Sequence, residues 1–295
     1  MSAVTVRVPA TSANLGSAFD TAGIAFALYN TFRFETSDTL RFVGFEAAYC
    51  NERNLAYVAY RAVCDKLGAD PAVTITQLAC DVPVSRGLGS SATLTAAGAV
   101  AANALHGGRL TDAELLAICT EIEGHPDNAA PALFGGLCLS LTDEGVPYTA
   151  RYPVSTRIVF TVVYPAFEVS TREARAVLPD TVSRRDAVFN LSRAAMLPRA
   201  LETGDPALIR AATRDRLHEP YRKGLFRNVD EVEAAARACG AYCFLISGAG
   251  SACLCLSDTE IAQALSERLL PLANQWRAQA LSIDGDGARI TEMSL

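Results

Sequence analysis

From Val4 to Val8 apolar and polar residues alternate in "VTVRV", and a period of two predicts a strand. Between Asn54 and Leu67 the period lengthens to that of a helix. Leu55, Ala59, Ala62, Val63 and Leu67 share one face there, and Gly68 supplies a stop. "VTITQL", Val73 to Leu78, reads as strand again. A glycine-rich loop follows, then an alanine-rich helix from Ser91 to Leu105. Another helix runs from Thr111 to Glu121, and Thr111 with Glu114 forms a capping-box pattern at its start. "LCLSL", Leu137 to Leu141, predicts a strand.

The rhythm changes near residue 150. "RIVFTVVY", Arg157 to Tyr164, has the continuous apolar character of a buried strand. Two or three helices are expected between Thr171 and Arg214, and one over Val229 to Ala238. Tyr242 to Ile246 and Ala252 to Leu256 read as strands, Glu260 to Gln275 as helix, and Ala288 to Glu292 as a last strand. Strands and helices mix without strict βαβ alternation, which predicts an α+β protein rather than a doubly wound sheet. A soft boundary near residue 150 separates 1–150 from 151–295.

Composition narrows the classes. Half of the 295 residues are hydrophobic and a fifth are charged, enough apolar surface for a real core. A net charge of -6 excludes general nucleic-acid or anionic-membrane binding, which needs a basic surface. The N-terminal residues have neither a basic nor an apolar signal region. Ala92 to Leu105 is shorter than the ~20 apolar residues of a membrane span. A cytoplasmic protein is expected. The nine cysteines are odd in number and sit mostly alone among apolar residues, so free thiols in a reducing compartment are expected.

The loop "PVSRGLGSSAT" comprises Pro83, Val84, Ser85, Arg86, Gly87, Leu88, Gly89, Ser90, Ser91, Ala92 and Thr93. Gly87 and Gly89 can take backbone angles closed to other residues, and Ser90 and Ser91 suit a helix start. Together they would aim several N–H groups and a helix N-terminus at one point, as an anion site does. No GK[ST] follows and GxGxxG is not matched, so the loop is neither a Walker A loop nor a dinucleotide fingerprint. A triphosphate held without lysine needs another counter-charge. Mg²⁺ would serve, with the Ser91 hydroxyl and a carboxylate from Glu121 or Glu123 as ligands. Arg86 is either a further cation or a solvated surface group.

Three other segments concentrate polar groups. "PATSANLGSAFDTAG", Pro9 to Gly23, carries Ser12, Asn14 and Asp20 and reads as an Asx-type turn or a pocket wall. "TEIEGHPDNAAPALFGG", Thr120 to Gly136, packs Glu121, Glu123, His125, Asp127 and Asn128 into a few positions. "ISGAGSACLCL", Ile246 to Leu256, is a hairpin turn or a loop whose backbone meets a ligand or the other domain.

In this order the four segments resemble the GHMP kinase superfamily over nearly the whole chain. Its three signatures correspond to "PATSANLGSAFDTAG", "PVSRGLGSSAT" and "SGAGSACLCL". "EGHPDNAAPALFGG", "VSTREARAVLP" and "LHEPYR" are similar to the homoserine kinases within it. The resemblance implies an ATP-binding domain over 1–150, like the second domain of ribosomal protein S5, and a ferredoxin-like domain over 151–295. It implies ATP-dependent phosphorylation of the L-homoserine hydroxyl, on the route to threonine. Asn14, Asp20, His125, Thr171, Arg175 and Arg222 would bind the substrate, and the forked guanidinium of an arginine suits its carboxylate. Asn128, Asp127 and Arg175 would stand nearest the chemistry, with no general base assigned. Pro83 to Thr93 would cradle the ATP phosphates, and Ser91 with Glu121 would hold Mg²⁺. A homodimer through the N-terminal domain is common in the family.

The chain departs from the family pattern at "LGSAFD" for "LGPGFD", at "SGAGSA" for "SGAGPT", and at "KGLFRN" after "EPYR". Two alternatives therefore stay open. One is a GHMP kinase for another small alcohol of mevalonate or pantoate type. The other is a catalytically silent sensor.

Overall fold

In the computed structural model, which describes residues 2–294, the alternation at Val4 opens a longer strand, β1 (Ala3–Leu15). It is followed by β2 (Ala18–Thr36), β3 (Arg41–Val43), α1 (Leu55–Leu67), β4 (Val73–Cys80), α2 (Ser90–Leu105), α3 (Asp112–Glu123), α4 (Pro126–Phe134), β5 (Leu137–Asp143) and β6 (Val146–Tyr152). Local chemistry sets the helix ends. Asn54 caps α1 by accepting from the Ala56 N–H, and Gly68 closes it in the left-handed region. Thr111 and Glu114 form the expected capping box of α3.

The second half contains β7 (Val159–Tyr164), α5 (Thr171–Ala176), α6 (Arg184–Thr203), α7 (Pro206–Ala212), α8 (Glu219–Arg222), α9 (Val229–Ala238), β8 (Cys243–Ile246), β9 (Cys253–Ser257), α10 (Ala262–Leu269), β10 (Arg277–Leu281) and β11 (Arg289–Ser294). The helix expected over Glu260 to Gln275 stops at Leu269, and β10 follows it.

One sheet runs in the order β11-β1-β2-β4-β3, with β5 on β2 and β6 on β5. The other runs β10-β7-β9-β8 and is antiparallel throughout. The boundary near residue 150 falls inside β6. The last strand crosses back: β11 pairs with β1, from Ala3 opposite Ser294 to Arg7 opposite Arg289. By sheet membership, residues 289–294 therefore stand with the first unit.

β1 and β2 are covered on both faces. Val4, Val6, Val8, Phe32 and Phe34 pack with α1, α2 and α3 in one core. Ala10, Leu15, Ile24 and Phe26 meet Phe160, Leu254 and Leu256 of the second sheet in another. A strand buried on both faces loses its alternation. This hid β2 and the second half of β1, where "PATSAN" shows only small residues.

The alanine-rich sequence of α2 reflects close helix packing. A methyl placed on Gly98 would overlap the carbonyl oxygen of Ala56 in α1. Gly98→Ala should therefore destabilise the protein by about 1–3 kcal/mol despite the better helix propensity of alanine. A rise in Tm for that variant would contradict the packing argument.

Candidate active site

The glycine loop joins β4 to α2. Gly87 and Gly89 have φ of 75° and 66°, where glycine alone is unstrained. No side chain caps α2 at Gly89, so its first-turn N–H groups have no side-chain acceptor. The loop is held from three directions. Thr11 donates its backbone N–H to Leu88 O at 3.1 Å, and Ala252 donates to Arg86 O at 2.9 Å. Ser247 Oγ lies 2.6 Å from Gly87 O and 2.8 Å from Ser12 Oγ. A methyl on Gly89 would collide with Thr11 Oγ1, and one on Gly87 with Ser247 O. The first, second and last signatures thus form a single contact, and Thr11, Ser12 and Ser247 are its buried polar links.

The Arg86 side chain turns away from the N-terminus of α2. It donates to Pro165 O and Val84 O and pairs with Glu168 at 3.0 Å. These contacts tie the loop to the segment after β7, so Arg86 acts as a clamp between the two halves.

The Ser91 hydroxyl sits in the first turn of α2 and donates to Glu123 Oε2 at 2.8 Å. Thr95, one turn on, donates to Glu123 Oε1 at 2.8 Å. Glu121, which was expected beside Ser91, is exposed. Residues two apart on a helix differ by about 200° around the axis, so α3 presents only one of the two carboxylates to α2. It presents Glu123.

α4 brings in the next group. His125 is its N-cap and Asp127 and Asn128 lie in its first turn. A carboxylate only accepts, so His125 donates from Nδ1 to Asp127 Oδ1. That hydrogen bond is the main reason His125 holds its proton to a higher pH than an ordinary imidazole. Asp127 is 1% exposed, and its Oδ2 has no hydrogen-bond partner among the described residues. Asn128 accepts from Thr11 Oγ1 at 2.7 Å and lies directly beside Gly89. It links the glycine loop to the Asp127 carboxylate.

The β1–β2 turn forms the facing wall. Asn14 and Asp20 both have positive φ, at 58° and 51°, which asparagine and aspartate tolerate best after glycine. Asn14 donates to Gly248 O at 3.0 Å and accepts the Asp20 N–H at 2.8 Å. Arg175, from α5, grips both oxygens of Asp20 at 2.9 and 3.0 Å. Ser17 stands where the family pattern has proline. Its hydroxyl donates to Ala212 O at 2.7 Å, anchoring the turn on α7. Thr171, first residue of α5, is exposed.

Arg222, in the last turn of α8, is among the most deeply buried side chains of the molecule. It donates from Nε to Ala174 O and from Nη1 to Gly248 O, both at 3.1 Å. Nη2 has no protein acceptor among the described residues. Arg222 and Arg175 both approach the Phe19 ring, at 4.9 and 5.8 Å from its centroid. Two clefts elsewhere, of about 340 and 590 Å³, are lined by none of these groups.

Glu219, three residues before Arg222, accepts the Ile246 N–H at 2.8 Å next to the last signature. Removal from water pushes its pKa up to about 8. A raised carboxyl contributes stability that is complete below its unfolded pKa and declines as pH rises toward the folded value. Glu219→Gln keeps the acceptor for Ile246 and abolishes the titration. The variant should gain Tm over the parent progressively between about pH 5 and pH 8. A pH-independent difference would contradict this.

Comparison with known proteins agrees with the geometry. The family model for the GHMP kinases N-terminal domain matches residues 54–136, and that for the GHMP kinases C-terminal region matches 199–271. A homoserine kinase of Clostridium beijerinckii is 42% identical over 98% of this chain and 99% of its own. The chain belongs to the homoserine kinase family of GHMP kinases. A homoserine kinase of Crocosphaera subtropica is 41% identical, with 98% of each chain covered. The solved homoserine kinase of Cytophaga hutchinsonii superposes with a TM-score of 0.87 at 27% identity, covering 98% of this chain and 97% of that one. L. major mevalonate kinase shares the fold, with a TM-score of 0.71 at 18% identity over 95% and 96% of the two chains. The two-domain architecture here is that of the GHMP kinases.

In this homoserine kinase family member, three residues that the structure brings against the candidate site residues, Thr11, Phe19 and His218, carry little signal in the sequence. Phe19 reads as a core aromatic between Ala18 and Asp20, and His218, in "RDRLHEPYR", carries no local mark of burial. Thr11 was hidden in a run of small residues. The positive φ of Asn14 and Asp20 explains why asparagine and aspartate occupy those positions, and that pair was the available signal.

Proposed function

We propose that this chain transfers the γ-phosphoryl group of ATP to the side-chain hydroxyl of L-homoserine, giving O-phospho-L-homoserine and ADP, a step toward threonine. The observation that carries the reading is the continuity of the site. The uncapped α2 N-terminus, Asn128, Asp127 and the Asp20–Arg175–Arg222 group follow one another by direct contact or mutual charge.

Each residue then has a task. The N–H groups of Gly87–Thr93 receive phosphate oxygens, favoured by the helix dipole. Ser91 and Glu123 offer a hydroxyl and a carboxylate 2.8 Å apart, hard oxygen donors that suit Mg²⁺, which when bound neutralises phosphate charge. Arg222 Nη2 receives the substrate carboxylate, and Arg175, held on Asp20, adds positive charge beside it. Asp127 Oδ2 accepts a hydrogen from the substrate's ammonium or reacting hydroxyl, pairing an otherwise unpaired buried acceptor. Asn128 orients that hydroxyl toward the phosphate. The hydroxyl oxygen bonds to the γ-phosphorus as the β–γ bridge opens, its proton passing to an oxygen of the transferred phosphoryl group and on to water, and catalysis rests on position and charge. The nine cysteines are free thiols, which suits the cytoplasm as the location.

The test is ADP release with Mg-ATP over L-homoserine, mevalonate and pantoate. Turnover of mevalonate or pantoate with homoserine untouched would sink the substrate assignment, and ATP binding without turnover of any alcohol would sink the activity. Ser91→Ala should lower kcat about 10²-fold while KM for homoserine moves less than about threefold. A change confined to homoserine KM would put Ser91 on the wrong substrate.

A further inference from the structure

We propose that His218 is a positioning residue: its neutral imidazole sets the Arg222 guanidinium for the substrate carboxylate and makes substrate affinity depend on pH. The inference rests on the reading above, in which Arg222 meets that carboxylate.

His218 is fully buried at the N-cap of α8. Its Nε2 lies 2.8 Å from Gly16 O. A carbonyl only accepts, so Nε2 carries the hydrogen, and Nδ1 of the neutral ring is a bare lone pair. That lone pair faces Arg222 Nη1 at 3.5 Å, a long contact that a cationic donor can use. The ring also stacks on Phe19, with centroids 5.0 Å apart and planes at 22°, and Phe19 carries the Arg222 guanidinium as well. Arg222 is thus located by Ala174 O on α5, Gly248 O in the last signature, and His218 on the first-signature turn. His218 is the only titratable member of that set.

The charged groups around the ring decide its state. Burial is the largest influence and lowers its pKa below the usual imidazole value, and Arg222 pushes the same way. Asp215 and Asp20 oppose them, as does the Gly16 carbonyl. Asp215 is the strongest of the opposing charges, with Oδ2 3.9 Å from Nε2, and its carboxylate also accepts the N–H groups of Leu217, His218 and Glu219 and the Asn190 amide; burial outweighs it. Arg175 and Glu219 are the other charged groups nearby, and Arg175 is committed to Asp20. A second proton would place an N–H at Nδ1 against a guanidinium, donor to donor and cation to cation. Arg222 would then be displaced from the carboxylate position.

The sign follows. His218 is neutral at and above pH ~6.5, so it adds no pH dependence to KM for homoserine there. KM rises as pH falls through the depressed folded value. Two substitutions separate the contacts of the ring. Asn places its amide oxygen near the Nδ1 position and can still accept from Arg222, while Gln reaches the Nε2 position and can still donate to Gly16 O. His218→Gln should raise KM for homoserine about tenfold, with kcat and KM for ATP within about twofold, whereas His218→Asn should stay within about threefold. Both should lose the acid rise in KM. A purely structural role predicts equal effects of the two variants on Tm, kcat and both KM values, and that result would overturn the proposal. So would an acid rise that survives in His218→Asn. If neither variant folds, the parent profile decides, and a KM that stays flat down to acid unfolding overturns it. Arg222→Met keeps the tests apart. If that variant leaves homoserine KM unchanged, the function assigned to Arg222 has failed. If it raises KM while the His218 variants behave alike, only the present inference has.

Discussion

Replacing Glu123 with glutamine should lower kcat/KM about 10³-fold, while Glu121→Gln should stay within about twofold. The two carboxylates sit on the same helix two residues apart, and only Glu123 touches α2. It accepts from both Ser91 and Thr95, so its oxygens are oriented before any ligand arrives. Glutamine preserves the size of the side chain and removes its charge. A hard cation beside a triphosphate depends on that charge, and the loop contains no lysine to compensate. The measurement is steady-state kinetics with Mg²⁺ titrated. The loss should be largest at low Mg²⁺, and homoserine binding to the nucleotide-free protein should be unchanged. Equal losses from Glu121→Gln would remove Glu123 from the metal role.

Arg222→Met should raise KM for homoserine at least about 10²-fold and lower Tm as well. The side chain is deeply buried, and a charge-assisted hydrogen bond from its Nη2 to a carboxylate is among the stronger polar contacts. Stability falls because Ala174 O loses its side-chain donor, about 1–3 kcal/mol for a buried acceptor left unpaired, while Gly248 O keeps the Asn14 amide. KM for ATP should stay within about threefold. Calorimetric titration with homoserine and separately with a non-hydrolysable ATP analogue distinguishes the outcomes. Weakened nucleotide binding with intact homoserine binding would place Arg222 at the wrong end of the site.

The helix ends were legible because their causes are local. Asn54, Thr111 and Gly68 act through hydrogen bonds and backbone angles within a few residues, and all three fall where the pattern put them. The glycine loop was legible for the same reason: Gly87 and Gly89 announce a backbone that other residues avoid. β2 was not, because its alternation vanishes where both faces are covered. β10 was not, because Arg277–Leu281 has the composition of a helix end and becomes a strand only by pairing with β7.

At the site the division is similar. Residue types alone made an anion-binding turn, an acidic and amide cluster and an α+β chain readable; the kinase reading and the two arginines for a carboxylate came from the family resemblance. Residue types left Glu121 and Glu123 as equal candidates, and resemblance favoured the wrong one for contact with Ser91. Helix phase relative to a neighbouring helix separates them, and that phase is a property of how α3 packs on α2. Burial of Arg222, the clamp made by Arg86, the return of β11 to β1 and the meeting of His218 with Gly16 all join residues distant in sequence. Such contacts carry no local signal, because the free energy that favours them comes from surfaces brought together only when the two sheets close on one another.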